Sequence, residues 1–335
     1  MVRDYWAKKK VTITGGAGFI GSHLSKNLVD AGSYVKVVDN LERGKIEYIR
    51  PILDDIEFIQ DDVRIMKTCY NICDGSDIVI HLASKVGGIG YYLQKPGEVM
   101  LQNMTIDTNM IQAAIKKEVG KFFYASSAHV YPIELQNKPD SEAIKENQVI
   151  PANPQLSYGW AKLMAEKQLE YLSREGVPTK FAIARFIGIY GANQDIGLDT
   201  GSVIPVFCRR AVEYPKNKPF IIWGTGRETR SYCFIDDAID CIKRMVKKLE
   251  FESLVGPFNV GKEEKNSIIE LAQKIIHISG KKIDIEFDDT KNTLIWGQWC
   301  DCSKARQELD GWHALTPLEI GLKHVYDHVN KRIKE

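Results

Sequence analysis

The stretch Thr14-Gly15-Gly16-Ala17-Gly18-Phe19-Ile20-Gly21-Ser22-His23-Leu24 decides the fold. An apolar run, Val11-Thr12-Ile13-Thr14, leads into it, and Phe19, Ile20, Leu24, Leu28 and Val29 follow at helical spacing. Gly15, Gly18 and Gly21 therefore lie between a strand and a helix. Glycine permits the tight turn and brings backbone close to a pyrophosphate, while the helix N-terminus supplies amides and positive potential. Glycines alone would be a weak signal. Here Asp39 also closes the next strand, Tyr34-Val35-Lys36-Val37-Val38-Asp39. A carboxylate at that place accepts both hydroxyls of an adenosine ribose and repels the extra phosphate of NADP, so the pattern predicts NAD. Arg43, close behind in Asn40-Leu41-Glu42-Arg43-Gly44, works against that preference.

The alternation continues outward. Short apolar runs at 56–60, 78–82, 121–126 and 180–185 read as strands buried on both faces, and helices are predicted over about 98–117 and 157–174. Strands joined by helical crossovers give a doubly wound parallel sheet, an α/β fold. From about 187 the regularity weakens: short strands at 220–223, 231–235, 258–260 and 283–287 mix with helices near 203–213, 236–249, 267–279 and 317–332. The expected organisation is a nucleotide-binding domain over 1–186 and a smaller mixed α/β lobe over 187–335, interleaved with the end of the sheet. The stretch 132–156, bearing Pro and Asn, is expected as a mobile flap over a site.

Composition narrows the classes. The chain has 335 residues, 45 Lys+Arg against 44 Asp+Glu, and a net charge of +1, which argues against a chain built for non-specific nucleic-acid binding. No apolar run reaches the roughly 18 residues that span a bilayer, and the opening residues lead into a strand instead of a secretory core, so a cytoplasmic protein is expected. The seven cysteines are odd in number and scattered, with no zinc spacing, and are read as reduced packing residues. His324 and His328 share a helix face without a further ligand, and no metal is expected.

Ser157-Tyr158-Gly159-Trp160-Ala161-Lys162 opens the helix predicted over 157–174, with Tyr158 and Lys162 one turn apart on one face. An ammonium near a phenol favours the phenolate, which can act as general base on a sugar hydroxyl while a nicotinamide takes the hydride. Such a pair alone is common surface chemistry. It gains weight from the dinucleotide loop before it and from Ser126-Ser127, which end a strand and offer a hydroxyl to the reacting oxygen.

These residues resemble the extended short-chain dehydrogenase/reductase superfamily over nearly the whole chain, and within it the nucleotide-sugar epimerases and dehydratases. The resemblance implies a Rossmann sheet with NAD held by Gly15, Gly18, Phe19, Ile20, Gly21, Asp39, Asn40, Asp62, Val63, Leu82, Ala83, Ser84 and Asn103, together with Tyr158 and Lys162. Asp62 of Asp61-Asp62-Val63 would meet the adenine amine. Ser127, Tyr158 and Lys162 fall on the catalytic triad. Trp223 to Asp237 resembles the sugar-nucleotide motif, with Arg230 on the diphosphate. Lys85-Val86-Gly87-Gly88-Ile89 resembles the GDP-fucose synthases, and Phe122 to Pro132 with Arg230-Ser231 the GDP-mannose 3,5-epimerases. Gly87 and Gly88 join Ser127 and Arg230 as implied substrate contacts. A homodimer through the helices near 98–117 and 157–174 is implied as well.

Departures from the family pattern carry information. Both of those families have Cys where this chain has His129, and a second acid/base residue where it has Ser202. Gly188 replaces an Asn that contacts the diphosphate. The dehydratases need an Asp-Glu pair where Ala128-His129 stand, so dehydration is not expected. The expected activity is therefore an NAD-dependent epimerase on a nucleotide-diphosphate sugar, through oxidation at sugar C4. A 3,5-epimerase of a GDP-hexose would use His129 as an acid/base, with Ser202, Lys85 or Asp199 as candidates for its second. A 4-epimerase, a GDP-4-keto-sugar epimerase/reductase and a non-catalytic NAD-binding sensor remain as alternatives.

Overall fold

The structure, a computed structural model, describes residues 5–87, 89–216, 219–290 and 295–334, with the backbone alone at 89–91. Gly88 lies outside the described residues. Six strands of the central sheet come from the first half of the chain: β1 (Lys10–Thr14), β2 (Tyr34–Asp39), β3 (Ile56–Gln60), β4 (Ile78–His81), β5 (Lys121–Ser127) and β6 (Lys180–Phe186). A seventh, Leu254–Val260, comes from the second half and pairs with β6. The order is Leu254–Val260, β6, β5, β4, β1, β2, β3, and every pairing is parallel.

This order sets the place of the site. The chain winds one way from β1 to β3 and the other way from β4 on, so the crevice between the carboxyl ends of β1 and β4 is free to take a ligand. Thr14, Asp39, His81 and Ser127 all end their strands there. β4 is buried at every residue, and β1 is buried after Lys10, as strands covered on both faces must be. α1 (Phe19–Asp30) buries Leu24 and Leu28 against the sheet. On the other face, the helices Pro96–Lys116 and Ser157–Arg174 lie against each other. The first begins at its proline, whose missing N–H is of no consequence in a first turn.

Two expectations change. The strand expected over 231–235 is only Cys233–Phe234, and a separate short strand, Thr229–Arg230, precedes it. Thr229–Arg230 pairs with Asn266–Ser267 and Gly297–Gln298, while Cys233–Phe234 pairs with Ile189–Tyr190. Ser231 and Tyr232 are the crossing point, where the chain leaves one small sheet for the other.

The stretch 132–156 is not a free flap. Tyr131, Ile144 and Val149 form a small core with Val130 and Leu163. Trp296 N donates to the Gln136 carbonyl at 2.8 Å, and Ile144 N to that of Trp299 at 3.0 Å. Apolar residues within the stretch, unnoticed among its prolines and polar residues, tie it to the second half of the chain.

Candidate active site

The glycine loop is shaped by backbone. Gly15 has φ +67°, which glycine adopts without strain, and its N–H donates to Val38 O at 2.8 Å. A Cβ on Gly21 would lie 2.2 Å from Gly15 O, so α1 can approach the loop only because residue 21 has no side chain. The loop floors a cleft of about 570 Å³, lined also by Phe19, Ile20, Asp39, Asn40, Asp62, Val63, Leu82, Ala83, Ser84, Lys85, Ser127, Tyr158 and Lys162. Most of the residues predicted to hold the cofactor thus meet in one place.

Asp39 is buried, and its carboxylate accepts from Ala17 N at 3.1 Å and Leu41 N at 2.9 Å. Burial pushes its pKa up, and those two N–H bonds hold it back. A Cβ on Gly44 would lie 2.6 Å from either carboxylate oxygen, so the carboxylate is seated against bare backbone. Asp62 accepts from Arg64 Nε at 2.9 Å and from Asn40 Nδ2 at 3.1 Å, and the Arg64 hydrogen bond holds its pKa down at about 2. Arg43 donates to Val86 O at 2.9 Å and stands 3.5 Å from Asp195, across the mouth of the cleft. A loop that a Cβ would block, beside an acid that faces the cleft, fits NAD, whose adenosine ribose Asp39 would hold.

Asn103 does not line the cleft. It is fully buried, and its amide is spent on the loop behind it: Oδ1 accepts from Ser84 Oγ at 2.6 Å and Lys85 N at 2.9 Å, and Nδ2 donates to Lys85 O and Val99 O. Its part is to shape residues 84–85.

Tyr158 lies deep in the cleft at 8% exposure, with the Ser84 and Ser127 hydroxyls beside its own. Burial drives its pKa well up, the two serines work downward, and the Asp107 charge adds to the rise. Lys162 is equally enclosed. Its Nζ is 5.8 Å from the Tyr158 ring centre but 3.6 Å from Asp107 Oδ1 and 4.6 Å from the Tyr124 ring centre. The ammonium faces Asp107 more closely than the phenol. The sequence reading passed over Asp107. Its signal was a charged residue on the inward stripe Val99, Asn103, Ile106, Met110 of the helix Pro96–Lys116, otherwise uncharged. The Tyr92 ring, also passed over, stacks on that of Tyr158 at 5.4 Å, and its hydroxyl accepts from Gly87 N at 3.2 Å.

His129 stands beside this group. Its ring meets that of Tyr158 edge-on at 5.9 Å, and its backbone N–H donates to Ser127 Oγ at 3.2 Å. Burial first, then the Arg230 charge, lower its pKa to about 4, so it is neutral near pH 7. Arg230 is tied to Thr229 O and Ile295 O, each at 2.8 Å. It lines a second cavity of about 170 Å³ with Gly188, Gln194, Ser202 and Tyr232, and Ile189 lies between this cavity and the cleft. Ser202 Oγ accepts from Gln194 Nε2 at 3.1 Å, Lys85 is paired with Glu42, and Asp199 is exposed. Gly188 has φ +61°, and a Cβ there would fall 1.9 Å from Ser231 O. The chain path itself excludes a side chain at 188.

A second buried network underlies Ser127. Ser126 Oγ donates to Glu166 Oε1 at 2.5 Å, Glu166 pairs with Arg185 at 2.6 Å, and Arg185 donates to Tyr131 OH at 3.0 Å. Tyr131 in turn donates to Asn259 Oδ1 at 2.5 Å. The network joins β5, β6 and the seventh strand beneath the cleft. Among the described residues no cluster of His, Cys, Asp and Glu could hold a metal, and all seven cysteines are buried and outside any disulfide.

The chain is 31% identical to GDP-mannose 3,5-epimerase from Arabidopsis thaliana, over 99% of its own length and 85% of that protein's. It is 32% identical to UDP-N-acetyl-alpha-D-glucosaminuronate decarboxylase from Bacillus cytotoxicus, over 84% of each. The crystal structure of UDP-glucose 4-epimerase with UDP-glucose from Thermotoga maritima superposes with a TM-score of 0.83 at 25% identity, covering 96% of this chain and 99% of that one. Residues 11–261 match the NAD dependent epimerase/dehydratase family. With the glycine loop, the acid that ends β2 and the Ser-Tyr-Lys group in one cleft, the chain belongs to the NAD-dependent epimerase/dehydratase family, as an NAD-dependent epimerase of the extended short-chain dehydrogenase/reductase type.

Proposed function

We propose that the substrate is a GDP-hexose and that the reaction is epimerisation through transient oxidation at sugar C4. The observation that carries this is the Tyr158 hydroxyl, set beside Ser84 and Ser127 at the inner end of a cleft whose outer end holds Asp39. NAD, when bound, supplies a hydride acceptor and returns the hydride. Tyr158 takes the C4 hydroxyl proton and later gives it back. Ser127 Oγ fixes the reacting oxygen. Lys162, one helical turn from Tyr158, meets the cofactor ribose. Asp39 accepts the adenosine ribose hydroxyls, and Arg230 meets the diphosphate. His129, neutral and at the Tyr158 ring, moves protons at C3 or C5.

Residues 1–186 form the cofactor half and 187–335 the sugar half in this reading. Two copies pair through the helices Pro96–Lys116 and Ser157–Arg174, which leave Leu101 at 69% and Tyr171 at 58% exposure. The protein works in the cytoplasm, in keeping with seven cysteines outside any disulfide.

The 4-epimerase is the second reading. It is favoured by the state of the candidates for a second acid/base: Ser202 accepts from Gln194, Lys85 is paired with Glu42 and Asp199 is exposed. Proton NMR of GDP-mannose with the protein in deuterated water separates the two. Deuterium at C3 or C5 is expected of the first reading. Inversion at C4 without deuterium supports the second, and an unchanged spectrum rejects GDP-mannose as substrate.

A further inference from the structure

Lys162 is 2% exposed, in surroundings where burial alone favours the neutral amine. Several groups face it. Tyr158 and Glu166 come from its own helix, Asp107 from the helix Pro96–Lys116, His81 from β4 and Tyr124 from β5. Glu166 is already matched by Arg185 at 2.6 Å and by Ser126. Both tyrosines are held neutral by burial, as is His81. That leaves Asp107 as the anion set against the ammonium.

Asp107 is itself 1% exposed, and its carboxylate is supplied with donors on both oxygens. Tyr124 OH donates to Oδ2 at 2.7 Å, and His81 Nε2 stands 3.1 Å from Oδ1. A neutral His81 facing a carboxylate carries its proton on Nε2, so Nδ1 accepts from Thr14 Oγ1 at 2.7 Å. Thr14 Oγ1 accepts in turn from Ala83 N at 3.3 Å. The carboxylate is thus anchored through His81 to the last residue before the glycine loop.

We propose that Asp107 is a positioning residue, the fixed counter-ion that keeps Lys162 protonated in the closed site and aims its ammonium, in register with the dinucleotide loop. This rests on the reading of Lys162 as the group that meets the cofactor ribose and Tyr158. Asp107 touches neither.

The test is an NMR titration of the full-length NAD-bound protein carrying isotope-labelled lysine, with the Lys162 signal identified by its loss in Lys162→Arg. In the wild type burial is expected to bring the midpoint below the free-lysine value of about 10.4, with Asp107 keeping the ammonium through neutral pH. In Asp107→Asn the midpoint falls by about two pH units, a hundredfold loss of proton affinity, and Asp107→Glu restores most of it. NAD affinity of Asp107→Asn weakens above the new midpoint and matches the wild type below it, which a merely structural defect would not do. Equal midpoints in wild type and Asp107→Asn overturn the proposal. Should Asp107→Asn fail to fold, the wild type decides alone: a midpoint below about pH 8 means that Asp107 does not hold the charge, and one at or above it in so buried a place requires the counter-ion. Lys162→Met tests the underlying reading separately, since unchanged NAD binding and turnover there would remove Lys162 from the site whatever Asp107 does.

Discussion

The cleft and the smaller cavity beside it are built differently. The cofactor half is local: the glycine loop, Asp39 and Asp62 follow one another within the first three strands, and their polar groups are largely partnered inside the chain. Asp39 has its two N–H donors and Asp62 its arginine and asparagine. The side proposed for the sugar is assembled from far apart: His129 after β5, and in the second cavity Gly188 and Ser202 after β6 and Arg230 from the small three-stranded sheet. Tyr232 lies there at 5% exposure with no hydrogen-bond partner for its hydroxyl among the described residues. The contrast is between a seat finished before its ligand arrives and one that keeps polar capacity in reserve. An unpaired buried hydroxyl is a standing cost that a structure accepts where something else sets the need.

The largest effect that would sharpen this contrast comes from the group at the join. Tyr158→Phe removes the proton acceptor and leaves the ring stacked on Tyr92. Turnover should fall by about a thousandfold or more, with NAD still bound, as read by activity and by cofactor content. Retained turnover would break the chemistry assigned to the join. Next is Gly21→Ala, whose Cβ would meet Gly15 O at 2.2 Å. NAD affinity should drop by about a hundredfold or more and thermal stability by about 1–3 kcal/mol, measured by cofactor titration and melting. A cofactor half that tolerated this change would not be the rigid seat described.

Arg230→Gln belongs to the other half. The expected result is a KM for the nucleotide sugar about ten- to a hundredfold higher, with NAD affinity unmoved. A change in both constants would show that the halves are not separate. His129→Ala should stop deuterium uptake at C3 and C5 while leaving the cofactor in place. Unchanged uptake would reject the role given to His129.

The smallest effect is a matter of pH. Burial and Arg230 lower the His129 pKa from 6.5 to about 4, so the folded state binds this proton less readily than the unfolded chain. Its contribution to stability is whole above pH 6.5 and is lost as pH falls through 4. His129→Gln should therefore unfold at lower pH than the wild type, by acid titration of the circular dichroism signal. An unchanged midpoint would mean that the imidazole protonates freely in place.

The same contrast explains what was legible in the sequence. Asp39, Gly15 to Gly21 and the helix Ser157–Arg174 could be read because short spacing fixes them: a turn needs glycine where the backbone turns, and a helix puts Tyr158 and Lys162 on one face. Asp107 could not be assigned that way, since its partners His81, Tyr124 and Lys162 lie on three other elements. Asn103 was expected to hold the cofactor, and only the fold shows it behind the cleft, with its amide spent on residues 84–85. The anchoring of 132–156 escaped for a similar reason. Ile144 and Val149 find their apolar partners only once β5 and the following helix are packed. At Gly188 the sequence shows a missing side chain, and the backbone shows that none would fit.

The contact between Gly159 and His129 has a consequence for engineering. A Cβ at 159 would lie 2.0 Å from the His129 carbonyl, so the first turn of the helix Ser157–Arg174 rests directly on the backbone of residue 129. Residue 129 is thereby a fixed socket beside Tyr158, whose side chain can be exchanged while its main chain stays in place. A small library at this one codon, screened for product stereochemistry, explores how the outcome of the reaction is chosen without disturbing the machinery that starts it.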